Sequence, residues 1–515
     1  MLDLATMNIG AALPAIALAI GACVLFIVDL SIPQDKKERT LLLALVGISV
    51  SFVMCLFQIN DRQTAFEGMY IGDSFTALVN MVALVGAFVG LLVAHDYLKR
   101  TNMQRGEYYP LLLLTTAGAM FMGAAGDLIT LVIALELLSI PLYVMSGFRR
   151  PDVRSEESAM KYFLLGAFSS GFLIYGIALT YGATGTTNLT AIFARIQSGE
   201  FQSVFLLLMG TGLILVGLGF KVAVVPFHLW TPDVYQGAPT PVTAYMSVAA
   251  KVGGFAALLR VMTVALPTFT GTSLELAAGE SLTVSAAWQN TVAILAAITM
   301  IYGNFVAIMQ RDVKRLLAYS SIAHAGYIMM AVAAAGTFTV SADDFGNLTP
   351  SLTIAQEALR GALVYLAAYT FTNIGAFAVG IAIERNDATG TQLDDFTGLG
   401  RSNPTLAGAM TIFLLSLTGI PLTAGFVGKW FIFLNTLNAG LGLLALIGVL
   451  TSVVSAYYYL RVIVKMWLEP GEGEFKLAPA LNLGILISAL GVIVIGILPM
   501  VIANLAQNVT LAAMR

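Results

Sequence analysis

The sequence predicts an all-α polytopic membrane protein of about fourteen transmembrane helices, built on two inverted five-helix repeats with broken helices at spans seven and twelve. Three observations predict it. The composition is 58% hydrophobic and only 11% charged, with a mean hydropathy of +0.86, whereas a soluble fold carries roughly 25% charged residues. Apolar runs long enough to cross a bilayer recur along the chain. Two of them are too long for one straight crossing, contain a breaker, and lie five spans apart.

A span needs about 20 apolar residues. On that measure the first eight run near 9–30, 41–58, 73–95, 109–126, 127–148, 160–182, 203–237 and 240–265. The other six run near 287–308, 316–336, 354–384, 405–437, 440–467 and 480–505. The opening run has an acidic start in place of a basic n-region, so it reads as the first span and not as a cleaved signal peptide. Only Gly126 and Asp127 separate spans four and five, the narrowest division in the chain. Span seven is broken at Pro226, and span twelve, LSLTGIPLTAGFVGKWFIF, at Pro421 and Gly425. Between spans eight and nine, 266–287 is a Thr/Ser-rich loop bearing Glu275 and Glu280.

Orientation follows from lysine and arginine. With the N-terminus outside, eighteen of the 26 fall on inner loops and helix ends, from Lys36 to Lys476. The outer side keeps Arg62, Arg195, Arg260, Arg360 and Arg515. Positive loops stay on the cytoplasmic side, so both termini are expected on the opposite side. The three remaining lysines, Lys221, Lys251 and Lys429, lie within spans. An odd offset of five spans makes the two broken helices cross in opposite directions, as an inverted repeat requires. The expected units are 1–108 (spans one to three), 109–265 (first repeat, spans four to eight), 266–467 (second repeat, spans nine to thirteen) and 468–515 (span fourteen).

The chain is organised around GLGFKVAVVPFHLWTPDVYQGAPTPVTAYMSVAAK, Gly217 to Lys251. A charged side chain at a helix centre costs roughly 2.5–3.5 kcal/mol on insertion scales, and irregular backbone at that depth survives only against protein or a water-filled cavity. Lys221 and Lys251 flanking a break therefore point to an ion path. Lysine, unlike arginine, can release its proton. Glu136, in the middle of span five, would stay ionised beside a lysine, and Lys221 is the candidate: held about 7 Å apart at an effective dielectric near 20, the two attract by roughly 2.4 kcal/mol. His228 in the break and His324 in RLLAYSSIAHAGYIMM can bridge the lysines through water, and Lys429 ends the series.

Each residue also has a plainer reading. Lys221 or Lys429 can snorkel towards an interface, Lys251 can neutralise a structural carboxylate, and Glu136 can be a protonated hydrogen-bond donor. The two histidines can be packing partners, Asp233 can satisfy the freed backbone of the break, and His95 reads as an interfacial side chain. Tyr457, Tyr458 and Tyr459 read as packing or water-facing phenols. Cys23 and Cys55 lie in apolar runs, so no disulfide framework or thiolate metal site is expected. GEGEF near Gly471 lacks the strand, lysine and helix of a phosphate loop. Three scattered histidines make no metal or iron–sulfur site, and electron transfer is left to other chains.

At DLITLVIALELLSIPLYVMSGFRRPDVRSEESAMKYFLLG, GFKVAVVPFHLWTPDVYQGAPTPVTA, RLLAYSSIAHAGYIMM and GIPLTAGFVGKW the sequence resembles the antiporter-like subunits of respiratory complex I. Within them it is most similar to the N type, in the form found in the photosynthetic NDH complex. The likeness covers most of the chain, and FHLWTPDVYQGAPTPVTA is the most specific stretch. The resemblance implies a proton path through a span-five glutamate and lysines of spans seven, eight and twelve, which fall on Glu136, Lys221, Lys251 and Lys429. It implies a proton-pumping membrane-arm subunit of an NAD(P)H/ferredoxin–plastoquinone oxidoreductase with no cofactor on this chain. Plastoquinone and iron–sulfur clusters would lie on partner subunits of the membrane and peripheral arms. Ferredoxin would act indirectly through the complex, lipids would surround the chain, and nucleic acid has no part. It also implies a thylakoid location, with the positive loops cytoplasmic or stromal and both termini on the lumen side. Two other readings stay open: a stand-alone cation/proton antiporter and a non-pumping scaffold, the latter tolerating neutral residues at all four ionisable positions.

Overall fold

The structure, a computed structural model, describes residues 7–59, 61–272, 280–343, 348–387, 389–471, 478–507 and 509. Glu275 and most of the GEGEF segment fall outside them. Among the described residues the chain forms nineteen α-helices: α1 (Ile9–Asp29), α2 (Glu38–Phe57), α3 (Ser74–Arg100), α4 (Tyr108–Ala124), α5 (Leu128–Ser146), α6 (Val153–Thr184), α7 (Leu189–Gln197), α8 (Val204–Val222), α9 (Trp230–Gly237), α10 (Thr240–Arg260), α11 (Gln289–Ile308), α12 (Val313–Ala334), α13 (Thr353–Ile383), α14 (Leu399–Ser402), α15 (Pro404–Thr418), α16 (Ala424–Asn438), α17 (Gly442–Leu468), α18 (Pro479–Ile497) and α19 (Pro499–Gln507). Twelve are long and apolar enough to cross a membrane. The fourth expected span is the shorter apolar helix α4, and the twelfth is α15 with α16, so all fourteen expected spans are helical.

Polar residues fix where these helices start. Asp127 separates α4 from α5 by accepting the Ile129 N–H, and Asp152 opens α6 by accepting from Arg154 and Ser155. Asp73, Asp312 and Asn403 do the same for α3, α12 and α15. Each cap satisfies an amide that the first turn leaves without a partner. Both long spans break as expected. After α8, Ala223 takes φ 63°, and α9 begins only at Trp230. After α15, Gly419 takes φ 91° and Leu422 φ 71° before α16 starts. The second break is tight: a Cβ on Gly425 would lie 1.8 Å from the Ser416 carbonyl oxygen, and the Gly425 N–H donates to the Ser416 hydroxyl at 2.9 Å. Gly425→Ala is therefore expected to destabilise the fold by roughly 1–3 kcal/mol, read as a lower midpoint in thermal unfolding of the detergent-solubilised protein.

The helices α10 and α12 are buried along their whole apolar length, and α3 and α13 nearly so. Around them α1, α2, α6, α11, α17 and α18 keep apolar faces exposed, as helices facing lipid or neighbouring subunits must. In the first half α4 packs on α5 and α6 on α8; in the second α11 packs on α12 and α13 on α16. Small antiparallel sheets, absent from the sequence expectation, close loops on one face. β1 (Gln63–Ala65) pairs with β2 (Tyr70–Gly72), and β3 (Ser281–Ser285) with β4 (Thr337–Ala342) and β5 (Leu348–Ser351). The central strand alternates buried and half-buried residues from Phe338 onward, a period of two inside segments too short and polar to register as spans.

Three side chains depart from the sequence reading. Arg260, counted with the outer charges, is fully buried at the end of α10, where its guanidinium bonds both Asp73 carboxylate oxygens, the Thr76 hydroxyl and the Gly123 carbonyl. His95 is buried against the Tyr109 hydroxyl instead of interfacial. Cys23 is exposed on the apolar outer surface, and Cys55 is buried.

Candidate functional site

The breaks supply acceptors for two of the lysines, Lys429 and Lys251. An α-helix leaves its last carbonyls without intrahelical partners and carries partial negative charge at that end. Lys429, one turn into α16, donates to the Leu417 and Thr418 carbonyls that end α15, at 3.0 and 2.9 Å, and to the Ser452 hydroxyl at 2.7 Å. Lys251, on α10, reaches the Val222 carbonyl that ends α8 at 3.4 Å and the Ser321 carbonyl of α12 at 2.6 Å. Lys221 sits in the last turn of α8 and donates to the Ser139 hydroxyl of α5 at 2.7 Å and the Tyr162 hydroxyl of α6 at 3.1 Å. All three are 2–3% exposed. None has a carboxylate within ion-pair distance among the described residues, so the reading of Lys251 as the neutraliser of a structural carboxylate has no partner in the fold.

His324, on α12, stands at the centre of a phenol cluster. Its Nδ1 shares a hydrogen bond with Tyr365, its Nε2 one of 3.2 Å with Tyr459, and its ring lies against Tyr327 and Tyr369. Two of these rings lead to the flanking lysines: Lys251 Nζ lies 5.8 Å from the Tyr369 ring centroid and Lys429 Nζ 4.6 Å from that of Tyr327. Tyr369 also donates to the Ser321 hydroxyl at 3.0 Å, beside the carbonyl that holds Lys251. The histidine and its phenols thus stand between Lys251 and Lys429, touching the lysines through the Tyr369 and Tyr327 rings.

Glu136 forms no direct ion pair with Lys221, but the two are near enough for their charges to interact. Glu136 is half-buried on the outer wall of α5, and its Oε1 accepts from the Ser170 hydroxyl of α6 at 2.6 Å. Ser170, which bonds Glu136, and Ser139, which bonds Lys221, line one small cavity together with Leu135 and Lys221. His228 does not join the lysines. It packs edge-on to Tyr302 of α11, and its buried Nδ1 has no partner. Asp233 does not cap the break either: it pairs with Lys161 at 2.8 Å and Arg315 at 2.9 Å.

Sequence reasoning missed Tyr162, Tyr327, Tyr365 and Tyr369, and set Tyr459 aside. Two of them carry a signal: Tyr365 and Tyr369 stand one turn apart on the same side of an apolar helix, a spacing that puts both hydroxyls on one face. Tyr457 is exposed, whereas Tyr458 is buried and donates to Asn304 at 3.0 Å.

Residues 125–455 match the family described as NADH:quinone oxidoreductase/Mrp antiporter, TM. The chain belongs to this family. All six candidate residues, Glu136 to Lys429, fall inside the stretch that defines it. Among members of the NADH:quinone oxidoreductase/Mrp antiporter family, NADH-quinone oxidoreductase subunit N 1 of Herpetosiphon aurantiacus is 44% identical over 502 residues, 96% of this chain and 95% of its own length. Subunit N of Trichlorobacter lovleyi is 41% identical over 506 residues, 98% and 97%. A chain of respiratory complex I from Thermus thermophilus with bound aureothin superposes with a TM-score of 0.77 at 32% identity, covering 95% of this chain and 98% of that one. A chain of the Mrp complex from Dietzia shares the fold, with a TM-score of 0.79 at 19% identity over 97% of this chain and 96% of that one. The bacterial relatives bear the name of subunit N, not that of a photosynthetic complex.

Proposed function

We propose that this chain is a proton-translocating membrane-arm subunit of an NADH–quinone oxidoreductase of the complex I kind, conducting protons along Glu136, Lys221, Lys251, His324 and Lys429. The observation that carries the reading is a row of three buried lysines, Lys221 held by hydroxyls, Lys251 by carbonyls and Lys429 by both, with His324 and its phenols between the last two. A lysine held this way can pass from ammonium to amine without leaving a buried carboxylate unpaired. The Lys221 ammonium gives a proton to water or a neighbouring amine, and the lone pair so freed takes up the next one. His228 takes no part as a relay in this reading.

The Arg-rich loops are assigned to the cytoplasmic side by the positive-inside rule. The division into 1–108, 109–265, 266–467 and 468–515, with the middle two as inverted halves, is supported by the matching helix partnerships and the two opposed breaks. Electrons, quinone and iron–sulfur clusters belong to the other membrane-arm and peripheral-arm subunits. The names of the relatives favour NADH as donor and quinone as acceptor; ferredoxin, plastoquinone and a thylakoid site draw no support from them. The family description also covers Mrp antiporters, and a stand-alone antiporter would exchange protons for sodium in vesicles containing this chain alone.

The test is proton uptake into sealed vesicles carrying the assembled complex, with quinone reduction followed in parallel. Lys221→Ala and Lys429→Ala are each expected to lower the protons moved per electron while the complex still assembles. Parent-like ratios in both variants would leave the scaffold reading.

A further inference from the structure

On the Arg-rich face, a cavity of about 720 Å³ opens among the ends of α3, α6, α10, α12 and α13. Glu384, the residue that ends α13, stands in its wall at 2% exposure. Its Oε1 accepts from the Tyr97 hydroxyl at 2.8 Å, and its Oε2 from the Thr240 hydroxyl. Among the described residues no cation lies within ion-pair distance of it, although Lys314 and Arg100 are near enough to feel its charge. Lys314, in the same wall, donates to the Ala238 carbonyl at 2.9 Å, and Asp312 is taken up by its helix cap and by Thr391 and Gln392. Burying a carboxylate without a cation is costly. Hydroxyl donors can serve both its charged and its neutral form, so its protonation is not locked by an ion pair.

From Glu384 a polar seam leads inward between α10 and α13, which pack against each other. On α10, Thr240, Ala244, Ser247 and Lys251 recur at helical spacing along one side; on α13, Glu384, Gly380, Asn373 and Tyr369 do the same. They meet in order: Thr240 with Glu384, Ser247 with the Asn373 amide, and Lys251 with the Tyr369 ring. Asn373 is fully buried, and its Oδ1 has no partner. A buried amide oxygen left bare is costly unless water reaches it. Gly380 has open space where a side chain would stand. Thr240 lies about 16 Å from Lys251 along α10, eleven residues at 1.5 Å each.

We propose that Glu384 is the proton-accepting group at this mouth and that the α10–α13 seam, through Thr240, Ser247 and Asn373, delivers protons to Lys251. The inference rests on the proton-path reading above and adds its entrance. A hydronium in the cavity protonates the Glu384 carboxylate. The carboxyl then gives its proton to water in the seam, restoring the carboxylate, and that water passes it on by way of the Asn373 Oδ1 site to the neutral Lys251 amine, which becomes ammonium. In the same cavity wall Arg149 pairs with Asp152 at 3.7 Å.

The experiment compares protons moved per electron in vesicles carrying the assembled complex with Glu384→Gln, Glu384→Asp, Asn373→Ala and Lys251→Ala. Glutamine keeps one oxygen to accept from Tyr97 or Thr240 and offers its NH2 to the other hydroxyl, which can turn to accept, and it cannot take up a proton, so a purely structural role largely survives the change. The expected result is that Glu384→Gln and Asn373→Ala lose the same share of pumped protons as Lys251→Ala, and that Glu384→Asp recovers it. A parent-like ratio in both Glu384→Gln and Asn373→Ala, with the loss intact in Lys251→Ala, would overturn the entrance and spare the path. A parent-like ratio in Lys251→Ala as well would overturn both.

Discussion

Lys251→Arg is expected to stop proton transfer through this subunit while leaving its charge in place. The Lys251 ammonium reaches the Ser321 and Val222 carbonyls at the centre of the molecule, on a helix buried throughout its length. A guanidinium can keep a hydrogen bond to either carbonyl and stays protonated at any working pH. Electrostatics and helix contacts are then nearly preserved, and only the capacity to release a proton is removed. The measurement is acidification of vesicles per quinone reduced, and the loss is expected to equal that of Lys251→Ala. If the arginine variant pumps as the parent does, Lys251 acts as a fixed positive charge, and the row is broken at its middle.

Arg260→Leu is expected to be the most destabilising single change on the chain. Its guanidinium joins α10 to the start of α3 through both Asp73 oxygens at 2.9 and 3.1 Å, with the Thr76 hydroxyl and the Gly123 carbonyl taking the remaining donors. Both partners are 4% exposed or less. Removing one member of a buried pair leaves the other charge unpaired, at about 3–5 kcal/mol. The expected readout is a lower thermal midpoint in detergent and less assembled complex. The double variant Arg260→Leu/Asp73→Asn, which removes both charges, is expected to recover most of the loss. Equal instability of the single and double variants would assign the effect to packing alone.

The helices were legible because bilayer thickness sets a length and lysine and arginine set a side, two constraints that act on each segment separately. The breaks were legible for a related reason: Pro226, Pro421 and Gly425 sit inside runs too long for one crossing, and in-span lysines mark where polar backbone must be freed. Partnerships between segments were not. Glu136 and Lys221 are near enough for their charges to interact, but the sequence did not show the hydroxyls that hold each of them: Ser170 against Glu136, and Ser139 and Tyr162 against Lys221. Hydroxyls are common in membrane helices and leave no mark in hydropathy. The burial of Arg260 was not legible because nothing local in the sequence joins it to Asp73, 187 positions away. The phenols around His324 come from three helices, and only the one-turn spacing of Tyr365 and Tyr369 betrayed any of them.

Lysines that rest on peptide carbonyls have a thermodynamic consequence for the whole row. Opposite a carboxylate at 4 Å, deprotonation would forfeit about 4 kcal/mol of attraction at an effective dielectric of 20; opposite carbonyls and hydroxyls it forfeits hydrogen bonds of roughly 1.5–3 kcal/mol each, part of which the amine retains. None of the three lysines faces a carboxylate within ion-pair distance among the described residues, so on the proposed path no ion pair locks a proton at any one of them. Such a chain behaves as a reversible conductor with no rectifier of its own. On the proposed path the direction of current is then imposed at its ends, by the protonmotive force.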